Sequence, residues 1–177
     1  LRLERGQALF TVAHDPARPF VVMAGDTAVT AVGTVFDVRR TEGGARVTLV
    51  SGVVEVRGPV GGPQRRLTAG QQAIPSRAGP VVRAVDVRNV VAWSQGRLVF
   101  RDTPLAEAVA EANRYLDDPI LLDAPVLAQA SVNGVIRTGD RAAFVEVVSA
   151  TFGLRSSRDP DGRLRLTAEN NSRRAPG

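Results

Sequence analysis

TAVGTVFDV, residues 30–38, has the apolar alternation of a β-strand but carries a glycine and a threonine at its centre. Glycine weakens a strand because it has no side chain to pack and loses the most backbone freedom on folding. The main apolar residues also change parity across this glycine, from odd to even numbers: Val29, Ala31, Phe36 and Val38. A β-bulge produces such a change, so the sequence predicts a backbone irregularity at Gly33.

The Gly33–Thr34 peptide bond also carries its own nucleophile. The Thr34 hydroxyl can attack the Gly33 carbonyl carbon through a five-membered ring, converting the amide into an ester that water can cut. Resonance makes an amide resist this N→O acyl shift. The fold would have to strain the bond, stabilise the oxyanion and move a proton. The residues alone leave two interpretations open, a bulge without chemistry and a self-cleaving bond, and they favour the bulge.

The composition excludes several classes of function. The chain has 177 residues and no cysteine, which excludes disulfides, thiolate metal sites and a cysteine nucleophile. It has one histidine and no nucleotide-binding or nucleophile-elbow motif, so we predict no metal, no cofactor and no turnover of an external substrate. The net charge of +5 comes from scattered arginines, and aromatic residues make up 5% of the chain. This pattern predicts a solvated cationic surface and no nucleic-acid binding.

Two polar features have a structural and a chemical interpretation. His14 precedes Asp15 and a proline, so it is most simply a turn residue, and a general base is the alternative. Asp117 and Asp118 precede Pro119. Paired carboxylates can perform acid–base chemistry, but a solvated turn after a helix is favoured here.

Residues 1–88 are predicted to form an all-β domain. Short apolar runs alternate with turn signals, and they include ALFTV, PFVVMAG, VTAVGTVFDV, RVTLVSGVVEVR and RLTAGQQAI. Such spacing is typical of a sandwich or a solenoid-like array. The chain opens on the alternating Leu1-Arg2-Leu3, so we expect a fragment that starts inside a fold. The Pro-, Gly- and Arg-rich segment before Trp93 is the predicted linker.

Residues 89–169 are predicted to form a small α+β domain with the element order β-α-β-β-α-β-β. In the first helix, Thr103 is the predicted N-cap and Pro104 the first helical residue. The second helix is predicted to start after Asp140 and to end at Gly153.

The segment SVNGVIRTG is predicted to be a strand at a sheet edge, to which a partner could add a strand of its own. Its predicted contact residues are Ser131, Val132, Asn133, Val135 and Arg137. Residues 170–177 are predicted to be a disordered tail.

Four motifs together resemble the periplasmic region of FecR-type anti-sigma regulators. They are GQALFTVAHDPARPFVVMAGDTAVTAVGTVFDVRR, VTLVSGVVEV, LTAGQQA and WSQGRLVFRDTPLAEAVAEANRY, with the α+β half resembling the STN domain (secretin and TonB short N-terminal). The resemblance covers nearly the whole chain. It implies a partial FecR domain at residues 1–88 that lacks its opening strands, and an STN-like domain at residues 89–169.

The resemblance also implies a function. Such regulators control an ECF sigma factor through a cytoplasmic segment, cross the inner membrane once, and receive a signal in the periplasm. The signal comes from the periplasmic signalling domain of a TonB-dependent outer-membrane transducer that is often loaded with a ferric siderophore. Several members cleave themselves at a Gly-Thr bond, which Gly33 and Thr34 match. The cytoplasmic segment and the membrane helix of such regulators are absent from this chain. The alternative to this signal-receiving function is a secretin-type structural assembly module.

Overall fold

The computed structural model describes residues 1–58 and 62–168, so the predicted tail at residues 170–177 lies outside the described residues. The chain divides into two compact units, residues 1–94 and residues 95–177. The first unit extends past the predicted boundary at residue 88, because a short helical segment and Trp93 fold back onto its strands.

The first unit is made of strands. They are β1 (Gln7–Thr11), β2 (Phe20–Ala24), β3 (Thr27–Ala31), β4 (Val35–Thr41), β5 (Gly44–Ser51), β6 (Val53–Arg57), β7 (Gln64–Thr68), β8 (Gln71–Ile74) and β9 (Val81–Ala84). A single-turn helix α1 (Val87–Val90) and a 3₁₀ turn (Ala92–Gln95) follow. One sheet has the order β1-β4-β5-β8-β9 and the other the order β2-β3-β6-β7. Successive hairpins therefore alternate between two antiparallel sheets, as a sandwich with solenoid-like winding requires.

The core of the first unit lies between the inner faces of these sheets. Val29 and Ala31 on β3 are fully buried, and so are Phe36 and Val38 on β4. The change of parity predicted around Gly33 is therefore real, but its cause differs from the predicted bulge within one strand. The chain leaves one sheet and enters the other at this point, so the inward-facing parity is set separately for each strand.

One edge of the four-stranded sheet is covered by the start of the chain. The amide of Leu3 donates to the carbonyl of Met23 at 2.8 Å, and the amide of Met23 donates to the carbonyl of Leu1 at 2.8 Å. Arg2 forms a parallel bridge with Met23. These bonds satisfy backbone groups of β2 that would otherwise be open to pairing with another chain.

The second unit has the predicted order of elements. They are β10 (Arg97–Pro104), α2 (Leu105–Asn113), β11 (Leu121–Asp123), a 3₁₀ turn (Pro125–Leu127), β12 (Ser131–Arg137), α3 (Arg141–Phe152), β13 (Leu154–Arg158) and β14 (Leu164–Ala168). Strands β10 and β12 pair antiparallel, and β11-β14-β13 form a second sheet. The helices bury Leu105, Ala108, Val109 and Ala112 from α2, and Phe144 and Val148 from α3.

The predicted cap of α2 is wrong. Pro104 occupies the N-cap position, and the Thr103 hydroxyl instead bonds the backbone of Arg101 within the preceding strand. The first amides of the helix, those of Leu105 and Ala106, donate to carbonyls of the segment before β12. Tertiary backbone partners thus replace the side-chain cap that the sequence suggested.

Asp140 caps α3 as predicted, because its carboxylate accepts from the amide of Ala143 at 3.0 Å. We expect Asp140→Ala to lower the free energy of unfolding of the second unit by about 1 kcal/mol, the usual contribution of such a cap. Urea unfolding followed by far-UV circular dichroism measures the change. Glu146→Ala, at an exposed position of the same helix, is the control and should change stability by less than about 0.5 kcal/mol. Equal effects of both changes would contradict the capping role.

Candidate functional site: the Gly33–Thr34 corner

Gly33 lies at the corner where the chain passes from β3 in one sheet to β4 in the other. Its φ is +69°, a left-handed conformation that costs little for glycine and is strained for residues with a Cβ atom. Gly52, with φ +86°, occupies the corresponding corner between β5 and β6. The fold therefore needs glycine at both corners for the same backbone reason.

The two corners touch each other. A Cβ atom on Gly52 would lie 2.8 Å from the carbonyl oxygen of Gly33 and 2.8 Å from Cγ2 of Thr34. Real side chains do not approach so closely, so the bare Cα of Gly52 is what makes room for the Gly33–Thr34 bond. The sequence also carries a signal for this second corner, since the apolar parity changes across Gly52, from Val47 to Val54.

His14 lies against Gly33 from the loop between β1 and β2. A Cβ atom on Gly33 would stand 2.6 Å from Nδ1 of His14 and 2.9 Å from its Cα. The imidazole can take this position only because residue 33 has no side chain. Sequence reasoning interpreted His14 mainly as a turn residue, and the structure places it directly beside Gly33.

Thr34 is held rigidly, yet its hydroxyl is unsatisfied. Its backbone is paired with Val12 in both directions, with the Val12 amide donating at 2.9 Å and the Thr34 amide donating at 3.1 Å. The residue is 2% exposed, and its Oγ1 atom has no hydrogen-bond partner among the described residues. A buried hydroxyl without a partner costs free energy, which calls for an explanation in the function of the site.

A second buried polar cluster lies on β4 and is centred on Asp37. Asp37 is 1% exposed, and both of its carboxylate oxygens accept from Nε2 of Gln7 at 3.0 Å. Nε1 of Trp93 donates to the same carboxylate at 3.1 Å. The cluster ties β1, β4 and the segment after α1 together, and sequence reasoning missed it.

The predicted partner-binding residues lie on β12. In the described part of the chain, β12 pairs with β10 and with no other strand, so its second edge is open. The side chains of Ser131 and Asn133 both bond Asp102 at a bulge of β10. Val132 is buried and thus unavailable to a partner, which corrects that part of the prediction, whereas Val135 and Arg137 are exposed.

Within residues 1–58 and 62–168, no group of three or more acidic or histidine side chains could hold a metal ion. None of the helices described in that range is long and apolar enough to span a membrane. Asp117 and Asp118 lie in the turn after α2, and the Asp118 carboxylate pairs with Arg141 at 2.6 Å. That pairing matches a structural role for Asp118.

Comparisons with known proteins bear on both units. The family model described as FecR protein matches residues 1–55, which include the corner at Gly33 and Thr34. Two crystal structures of a candidate anti-sigma factor from Parabacteroides distasonis ATCC 8503, at 2.50 Å and 1.65 Å resolution, are similar over 94% of this chain. They are 25% and 26% identical to it, have a TM-score of 0.77, and are covered over 78% and 79% of their own length. A comparison with curated proteins finds no match.

Residues 1–55 are thus similar in sequence to the FecR family, and the chain is similar in structure to a candidate anti-sigma factor.

Proposed function

We propose that the chain is the periplasmic signal-receiving region of a FecR-type anti-sigma regulator. In this role it binds the signalling domain of a TonB-dependent outer-membrane transducer, and thereby controls an ECF sigma factor held by a cytoplasmic segment outside this chain. The FecR match supports the regulatory part of the proposal. The β-α-β-β-α-β-β order of the second unit fits the STN-like domain that the family resemblance implies.

The open edge of β12 is the observation that carries the partner-binding part. An unpaired strand edge offers a row of backbone donors and acceptors, to which a strand of another protein can add. The side chains of Ser131 and Asn133 are already bonded within the unit, so side-chain recognition falls to Val135, which is 60% exposed, and to Arg137. An exposed valine beside an open edge fits a partner strand that brings an apolar residue.

Replacing Val135 tests this surface. We expect Val135→Asp to weaken binding of the purified signalling domain by tenfold or more, because a charge would replace an apolar contact of roughly 2 kcal/mol. Isothermal titration calorimetry with the signalling domain of the cognate transducer measures the affinity.

Val126→Asp is the matched control, since Val126 is 84% exposed in the same unit and lies outside β12. It should leave the affinity within about twofold of that of the unchanged chain. If both variants bind as the unchanged chain does, β12 is not the docking edge. If the unchanged chain does not bind at all, the proposed partner is wrong.

We further propose that the chain cleaves itself at Gly33–Thr34 as part of this role. The buried Thr34 hydroxyl without a partner favours it, because a hydroxyl kept out of hydrogen bonds is free to act as a nucleophile. Because Gly52 has no side chain, no Cβ atom presses on the Gly33 carbonyl oxygen, which can therefore move as its carbon becomes tetrahedral. Mass spectrometry of the purified chain should find two fragments, residues 1–33 and residues 34–177, in place of one chain of 18.8 kDa.

A further inference from the structure

We propose that His14 carries the proton during the Gly33–Thr34 acyl shift. This inference rests on the proposed self-cleavage and adds to it the group that moves the proton. An unassisted threonine hydroxyl is a weak nucleophile, and it becomes an effective one when a neighbouring base accepts its proton. The structure places one such group, the His14 imidazole, beside Gly33, which contributes the carbonyl of this bond.

The position of His14 follows from the pairing of β1 with β4. The two hydrogen bonds between Val12 and Thr34 fix the chain on both sides of the corner. His14 follows Val12 by two residues, so the same pairing carries its imidazole over Gly33, where Nδ1 is the nearest atom to the missing Cβ. The backbone hydrogen bonds thus fix the Cα and Cβ atoms of His14 beside Gly33, and the exposed imidazole extends from there.

The imidazole is also uncommitted. No hydrogen bond or ion pair within the described residues engages His14, whereas its neighbour Asp15 binds Arg18 and the amide of Ala17. Asp37, the carboxylate of β4, is occupied by Gln7 and Trp93. Imidazole suits proton transfer because it has both an accepting and a donating nitrogen.

The step balances without any co-reactant other than water. The imidazole accepts the Oγ1 proton of Thr34 as Oγ1 bonds to the carbonyl carbon of Gly33. The carbon–nitrogen bond then breaks, and the imidazolium returns the proton to the Thr34 nitrogen, which leaves as an amine. Water hydrolyses the resulting ester, giving a carboxylate on Gly33 and restoring the Thr34 hydroxyl.

The rate of self-cleavage in freshly made protein tests the inference. The full chain is produced by cell-free synthesis with a radioactive label, and the conversion of intact chain into fragments is followed on gels over time. We expect His14→Ala to slow cleavage by roughly 100-fold or more, the usual contribution of acid–base catalysis. Added imidazole should restore much of the rate, because it can enter the space that the side chain leaves. Since the chain has no other histidine, this rescue has one site to act on.

Two further variants separate proton transfer from packing. His14→Asn keeps a polar group near the same place but cannot act as a base, so it should be as slow as His14→Ala. Thr34→Val should stay intact with or without imidazole. Circular dichroism confirms that each variant folds.

The outcomes are distinguishable. Normal cleavage in His14→Ala or His14→Asn would overturn the role of His14 while leaving self-cleavage intact. Slow cleavage of His14→Ala that imidazole does not restore would assign His14 to packing and overturn proton transfer. If the unchanged chain is never cut, the proposed self-cleavage itself is wrong.

Discussion

Thr34→Val is expected to abolish self-cleavage completely and to leave a single intact chain. Valine has the shape of threonine, so it keeps the methyl group that packs beside Gly52 and removes only the hydroxyl. Because that hydroxyl has no hydrogen-bond partner among the described residues, its loss should leave stability unchanged or raise it slightly. Intact mass measured after purification shows whether the chain is cleaved, and urea unfolding measures the change in stability.

Thr27→Val is the matched control. Thr27 is also buried, but its hydroxyl accepts from the amide of Ala45 at 3.0 Å. Its removal leaves a buried amide unpaired, which should cost about 1–3 kcal/mol while cleavage continues. Thr34→Ser should still be cut, because it keeps the nucleophile. If Thr34→Val gives the same fragments as the unchanged chain, the Thr34 hydroxyl is not the nucleophile.

Asp37→Ala should destabilise the first unit strongly. The change removes the acceptor for Gln7 and Trp93, and a hydrogen bond to a charged group contributes about 1.5–3 kcal/mol. We therefore expect a loss of about 3 kcal/mol in the free energy of unfolding, together with release of the Trp93 side chain. Trp93 is the only tryptophan of the chain, so its fluorescence reports both the contact and the unfolding in urea.

Glu55→Ala provides the comparison, since Glu55 is an exposed carboxylate in the same unit. It should change stability by less than about 0.5 kcal/mol and leave the Trp93 emission unchanged. A loss below about 1 kcal/mol for Asp37→Ala, with unaltered emission, would show that the cluster does not hold this segment to the sheets.

Local patterns predicted most elements of the fold. Turn residues and alternating apolar residues located the strands, and Asp140 and Gly153 marked the two ends of α3 as expected. These signals work because capping and side-chain parity depend on neighbours in the chain. The predicted N-cap at Thr103 was wrong, because the first amides of α2 donate to carbonyl groups of a segment that is distant in sequence. Such a contact leaves no signal among neighbouring residues.

The site was predictable only in part. Gly33 and Thr34 could be identified from the sequence, because the parity of the apolar residues changes there and because an acyl shift requires only these two adjacent residues. It could not show that Gly33 lies at a crossing between sheets, because one strand with a bulge has the same local pattern as two strands joined by a corner.

The sequence by itself thus determined a β-rich first half, the order of elements in the second, and a glycine–threonine pair at an irregular point of the backbone. The tertiary structure alone decided what surrounds that pair. Val12 and His14 reach it from one other part of the chain and Gly52 from a second, and Asp37 meets Trp93 across 56 residues. Periodicity and propensity act over a few residues, whereas these contacts arise when two sheets pack and their corners meet.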